Sequence, residues 1–429
     1  MASEESNSSY EQQDNTNNGD DQAQSNGEHD QRKASGIRNR AAAIVENFSF
    51  LWFTLSMNTG ILSMLMHQLP YQFHGLDILS TIMFVFNLFL FTLFFAILLL
   101  RIILYPKAIA SALTSDLTEL SLTGAVPIAW FTLLAQVGIT VSTASWGGGP
   151  FFVVACVMFW IGTTVMVCIA TLVIVILSKT EITTTDSLSP GIVIPFVGTT
   201  TNAVVQLLTV IYQGALIVNY SHGVTPGLAI PVIIVGYMLT GIGLFAALLL
   251  YAAFFIRLTN AGLPPPPQRP ALVMLVGPCG QASAALQLLG TAAKSYFGKY
   301  GDATLYTSTT GETFSAVGTL LGLMLTGMAV LFTTFTAYLI LESAFRRQCR
   351  YSLLWWSTIF PLATVCTAFI SFSEEFNSPA FRVLAAGLLV ILVIDYFINW
   401  AFTIRDIALG KLLNGRRSEK PASDREKKH

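Results

Sequence analysis

Asp395 stands alone as an acid in the apolar run Leu392-Val-Ile-Asp-Tyr-Phe-Ile-Asn399. A carboxylate at membrane depth is a candidate proton relay. Asn399 lies one helical turn away, so pairing with that amide is the plainer reading. The other side chains able to hold an ion are neutral. They are Ser56, Asn58, Thr59 and Ser63; Gln136; Thr199, Thr200, Asn202 and Gln206; and Gln281 and Gln287. Asn202 and Gln206 share one helix face. Such groups either line an uncharged path for a small ion or bond neighbouring helices to one another. Covalent chemistry has no comparable residues. The five histidines (29, 67, 74, 222 and 429) form no HExxH, the five cysteines form no CxxC, and no Walker glycine pattern is present. No enzyme activity, cofactor or metal is expected.

The elements that carry these residues follow from composition. Of 429 residues, 53% are hydrophobic and 11% charged, and the mean hydropathy is +0.62. The charges crowd into the ends. Residues 1–40 hold eight acidic and four basic side chains, and residues 405–429 hold four and eight. The stretch between them is about 6% charged, against roughly 25% in a soluble domain. That excludes a soluble enzyme, a secreted domain and a nucleic-acid binder. It predicts an all-α polytopic membrane protein whose surroundings are the lipid bilayer.

Ten apolar runs are long enough to cross a membrane: 48–66, 76–102, 123–144, 150–177, 194–218, 226–257, 274–297, 313–341, 352–373 and 379–405. With a cytosolic N-terminus, eight Lys/Arg of the core fall inside and three outside, so both termini are expected in the cytosol. Residues 1–40 are polar, lack an apolar leader segment and read as a disordered cytosolic tail. Residues 41–405 form the ten-helix transmembrane domain, and 406–429 form a basic cytosolic tail.

The odd-numbered spans begin about every 70–80 residues, which suggests a repeated helical hairpin. The Pro-containing breaker clusters favour the same spans: Gly60, Pro127, Gly138, Pro195, Gly198, Gly277, Pro278, Gly280 and Pro361. Proline kinks a helix interior, and interrupted helices are tolerated where they face protein or a wet cavity. The odd helices are therefore expected to form an inner ring around a path. No Lys or Arg lies at membrane depth; broken inner helices would still favour anions through their N-terminal dipoles.

Trp52-Phe53-Thr54, with Ser56-Met-Asn58-Thr59-Gly60-Ile61, resembles the first helix of the tellurite-resistance/dicarboxylate transporter family. Gly277-Pro278-Cys-Gly-Gln281 resembles the seventh helix of its fungal sulfite efflux pumps, and Trp355-Trp356-Ser-Thr-Ile-Phe360-Pro361 resembles their ninth. The family also holds fungal malate permeases and plant slow-type anion channels. The resemblance implies five helical hairpins around a pseudo-fivefold central pore, a homotrimer, and Phe360 as a side chain that blocks the pore. Asn58, Thr59, Gly60, Gln136, Asn202, Gln206, Gly277, Pro278, Gln281 and Trp356 are then the expected pore lining.

The expected activity is export of a small anion across the plasma membrane, sulfite or bisulfite first, with nitrate and malate as further substrates. Each negative charge leaving a negative cell gains about 2.3 kcal/mol per 100 mV. The alternative is a proton-coupled malate or C4-dicarboxylate permease with Asp395 as its proton group.

Overall fold

The structure is a computed structural model, and it describes residues 41–184, 188–201, 226–299 and 306–412. Asn202, Gln206, most of the fifth expected span and nearly all of both tails lie outside these residues. Among the described residues there is no strand. The main helices are α1 (Phe53–Gln68), α2 (Leu76–Leu104), α3 (Ala125–Gln136), α4 (Gly148–Lys179), α5 (194–201), α6 (Pro226–Ala261), α7 (Val276–Tyr296), α8 (Ser308–Phe345), α9 (Ile359–Glu375) and α10 (Pro379–Ala408). Eight helical segments are long and apolar enough to cross a membrane.

Two populations of helix alternate along the chain. In the most apolar stretches of α2, α4, α6, α8 and α10, 22–39% of residues are buried. In the segments built on α3, α7 and α9 the share is 78–94%. Fifteen of the sixteen residues of α1 are buried, as is all of 194–201. The even helices turn long aliphatic and aromatic side chains outward, for example Phe89, Val157, Phe245, Met324 and Phe397. Such a surface is stable against lipid and not against water. The interior helices are surrounded by protein, so they can carry small and polar residues.

Each interior helix is entered through a short tight segment: Phe50–Trp52, Leu117–Leu122, Pro190–Val193, Pro266–Leu275 and Leu353–Thr358. Three of these begin at a side-chain cap. Ser49 Oγ accepts from Leu51 N at 3.1 Å, Asp116 Oδ1 from Thr118 N at 2.9 Å, and Ser189 Oγ from Gly191 N at 3.4 Å. Each entrance segment touches the next in this order, and the last touches the first. The five entrances therefore close a ring at one end of the bundle.

The prolines mark these joints. Pro127, Pro195, Pro278 and Pro361 all fall in the first turn of their helices. There the tight entrance segment passes into the α-helix, and the fixed φ of proline suits that joint. These prolines lie at the joints between entrance segments and α-helices, near the ring and not in the middle of the α-helical stretches. The irregularity at depth is instead the π-helical turn Val137–Val141 that prolongs α3 and contains Gly138.

Arginines hold the entrance end together. Arg101, 3% exposed, donates from Nε to Glu46 O at 3.0 Å and from Nη1 to Phe48 O at 2.5 Å. Glu119 lies 3.8 Å from the same guanidinium and accepts from Ser49 Oγ. Arg269 donates to Ser343 Oγ at 2.8 Å and pairs with Glu342 at 3.3 Å.

Candidate functional site

The entrance segment of α9 carries Trp356 and leads into Phe360. It is clamped against α10 by a ladder of polar contacts. Asp395, Asn399 and Thr403 recur every four residues and so form one strip of α10. Thr358 Oγ1 donates to Asp395 Oδ2 at 2.5 Å, and Asn399 Nδ2 donates to Asp395 Oδ1 at 2.9 Å. Trp356 Nε1 donates to Thr403 Oγ1 at 3.0 Å, and Tyr351 Oη donates to Asn399 O at 3.0 Å. The Trp356 indole is fully buried and stands edge-on to Tyr396 and Trp400. From the opposite side, Asn58 Nδ2 donates to Trp356 O at 2.6 Å.

Asp395 thus meets its expected partner Asn399, and it also holds Thr358, two residues before Phe360. That second contact was not anticipated. The four-residue spacing on α10 is visible in the sequence, but nothing in it points to Thr358, Tyr351 or Thr403 as partners.

The neutral polar residues of α1 and α3 make helix contacts, with Asn58 Oδ1 left without a hydrogen-bond partner. Thr59 Oγ1 bonds Leu55 O at 2.7 Å and lies 2.9 Å from Tyr396 Oη. Gln136 Nε2 donates to Ser63 Oγ at 2.6 Å, and its Oε1 accepts from Thr140 at 2.6 Å. A Cβ on Gly60 would sit 2.1 Å from Thr132 Oγ1 and 2.4 Å from Asn87 Nδ2, so glycine is required there for close approach. In this geometry Asn58, Thr59, Gly60 and Gln136 join helices, as polar and small residues do within membranes.

On α7 the faces are divided. Gly277 and Gly280 face α9: an added Cβ would lie 3.7 Å from Pro361 Cβ and 2.2 Å from Thr364 Oγ1 respectively. Ser283 bonds Gly322 O and Thr326 of α8, and Cys279 meets Tyr251 of α6. At 100° per residue, the remaining face carries Pro278, Gln281 and Ala285. Gln281 is 3% exposed and so is Phe360. No charged side chain interrupts the buried stretches of α1, α3, α7 and α9 before their last turns.

A family model described as a voltage-dependent anion channel, SLAC1, matches residues 47–404. The chain belongs to the SLAC1 family. It is a multi-pass membrane protein of an anion-transporter family rather than of an enzyme family. Among relatives, the sulfite efflux pump SSU1 of Arthroderma benhamiae is 25% identical over 368 residues, covering 84% of this chain and 91% of that protein. The sulfite efflux pump SSU1 of Trichophyton rubrum matches to the same extent. The malic acid transport protein of Schizosaccharomyces pombe is 23% identical over 375 residues, covering 86% of this chain and 80% of that protein. The family match runs from just before the first entrance segment to the last turns of α10.

Proposed function

We propose that this SLAC1-family protein exports small anions, sulfite or bisulfite first, across the plasma membrane with both termini in the cytosol. The observation that carries the reading is the ring of entrance segments above a buried set of uncharged helices. Five such entrances in cyclic contact support ten spans arranged as five hairpins about a pseudo-fivefold path. The ring gathers several helix N-termini at one end of that path. Their partial positive charges favour anions without a fixed cation that would trap them.

Phe360 is the gate in this reading. It lies in the first turn of α9, directly after the entrance ring, and its ring is buried. An apolar ring closes a narrow path by occlusion and by excluding water. Pro278 and Gln281, on the face of α7 left over by its neighbours, line the path beside it. Trp356 and Gly277 act as supports: one seats the α9 entrance, the other lets α7 approach Pro361. The molecule works as a homotrimer. No ATP is needed, since an anion leaving a negative interior gains about 2.3 kcal/mol per 100 mV and per charge.

Likeness to the sulfite efflux pumps over 84% of the chain supports sulfite as cargo. The likeness to the malic acid transport protein supports a second reading, a proton-coupled dicarboxylate permease with Asp395 as its proton group. Sulfite tolerance and malate uptake in the same cells, with and without the protein, separate the two. Sulfite efflux that follows voltage without a pH gradient upholds the first reading. Malate uptake that requires a pH gradient overturns it.

A further inference from the structure

A crevice of about 220 Å³ opens at the end of the bundle opposite the entrance ring, where α1 and α9 finish. Its relation to Phe360 follows from the faces of α9. Pro361 and Thr364 turn toward Gly277 and Gly280 of α7. On another side, Cys366 meets Ala385 O of α10 at 3.4 Å, and Phe369 packs on Phe381. At 100° per residue, Thr367, Ser371 and Glu374 fall within about 40° of Phe360, on a strip that neither set of contacts uses. All three line the crevice. So does Leu288 of α7, about 20° from Gln281 on the face that helix leaves free. The strips that carry Phe360 and Gln281 therefore both run on into this crevice.

Gln68, the last residue of α1, faces the same space. It is 9% exposed, and its amide has no hydrogen-bond partner among the described residues. An amide so placed costs free energy unless something from the crevice bonds it, and its nitrogen carries two donors, which suit an anion. The hydroxyls beside it have their protons in use: Ser371 donates to Thr367 O at 3.2 Å and Thr367 to Ala363 O at 3.1 Å. Glu374 and Glu375 stand exposed at the rim. Among the described residues neither meets a lysine, arginine or histidine within ion-pair distance. Lys294, one turn beyond Thr291 on α7, is exposed and pairs with neither. The helices α1, α7 and α9 all run from the ring toward this end, so their C-terminal dipole ends add negative potential here.

We propose that this crevice is the outer mouth of the anion path, and that its electronegative rim makes the protein release anions easily and readmit them poorly. Gln68 gives the departing anion a last, weak contact beyond Phe360. Glu374 and Glu375 repel anions that approach from outside. A charged mouth acts by changing the local ion concentration, so its influence grows as ionic strength falls. It leaves the equilibrium distribution unchanged and limits the current that external anions carry. The inference rests on the reading of the Phe360 path as an anion route, and adds what controls flow at its far end.

Ser371→Cys is made in full-length protein whose exposed Cys168 and Cys349 are replaced by serine. Cationic and anionic methanethiosulfonates of similar size are added outside intact cells, and each rate is divided by that reagent's rate with a small thiol in solution. The introduced thiol is expected to react several-fold faster with the cationic reagent, and E374Q/E375Q is expected to remove most of that preference. This readout needs no transport. In whole-cell recordings at low external salt, E374Q/E375Q should raise the current carried by anions entering from outside about twofold or more, an effect that fades at high salt. A thiol that neither reagent reaches overturns the proposal. So do equal corrected rates for the two reagents beside a normal anion current, which leave the transport reading standing. Charge-selective labelling in a protein that carries no anion current overturns the transport reading and the exit role with it.

Discussion

The hydroxyl of Thr358 meets the carboxylate of Asp395 at 2.5 Å, joining the turn that leads into Phe360 to the outer helix α10. An outward-facing helix thereby holds an interior one in register. Removing one partner breaks the link while Asp395 keeps Asn399 and Thr358 keeps Trp355 O, and hydrogen bonds to charged groups contribute about 1.5–3 kcal/mol. Asp395→Asn keeps an acceptor for Thr358 and is expected to leave sulfite efflux largely intact. Asp395→Leu and Thr358→Val are expected to lower the melting midpoint and to alter anion current together. Loss of transport in Asp395→Asn with normal trafficking would move the assignment to the proton-coupled carrier.

Phe360→Ala removes the ring that is proposed to occlude the path. Anion conductance in electrophysiological recordings should rise several-fold, while Phe360→Leu, which keeps an apolar plug, should rise less. Equal or smaller current in the alanine variant would count against the gate.

Two glycines of α8 give an internally controlled pair. A Cβ on Gly318 would lie 2.3 Å from the backbone oxygen Leu286 O, whereas nothing lies within 4 Å of a Cβ on Gly327. A backbone atom cannot turn aside as a side chain can. Gly318→Ala should therefore destabilise by about 1–3 kcal/mol through overpacking. Gly327→Ala should be neutral or slightly stabilising, because alanine favours helix over glycine. Melting of detergent-solubilised protein measures both.

Arg101 is a buried cation held by Glu46 O, Phe48 O and Glu119. Arg101→Met would take the cation away from the buried Glu119 carboxylate, which keeps Ser49, and from two carbonyls at the joint between the first and second entrance segments. Breaking a buried pair from one side costs about 3–5 kcal/mol. The expected readout is poor accumulation of folded protein at normal transcript level. Arg101→Met/Glu119→Gln should recover part of the loss, since the buried negative charge that faced the arginine is then gone.

Much of the architecture is visible in the amino-acid order. An outer helix must show lipid a continuous apolar face, so α2, α4 and α10 read as dense runs of Leu, Ile, Val and Phe. An inner helix meets only protein, so it can hold Gly60, Gly277, Gly280 and Gln136. That contrast is local, and the alternation of buried and exposed helices could be read from it. The repeated proline near the start of α3, α5, α7 and α9 was also visible, but its meaning was not. Whether proline breaks a helix or begins one depends on a boundary of two or three residues, and hydropathy does not resolve it.

What the chain's own order left open was the partner of each polar side chain. Asn58 and Trp356 lie 298 residues apart, Thr59 and Tyr396 337 apart, and Thr358 and Asp395 37 apart. No periodicity links positions so distant, because those contacts arise only when separate helices pack side by side.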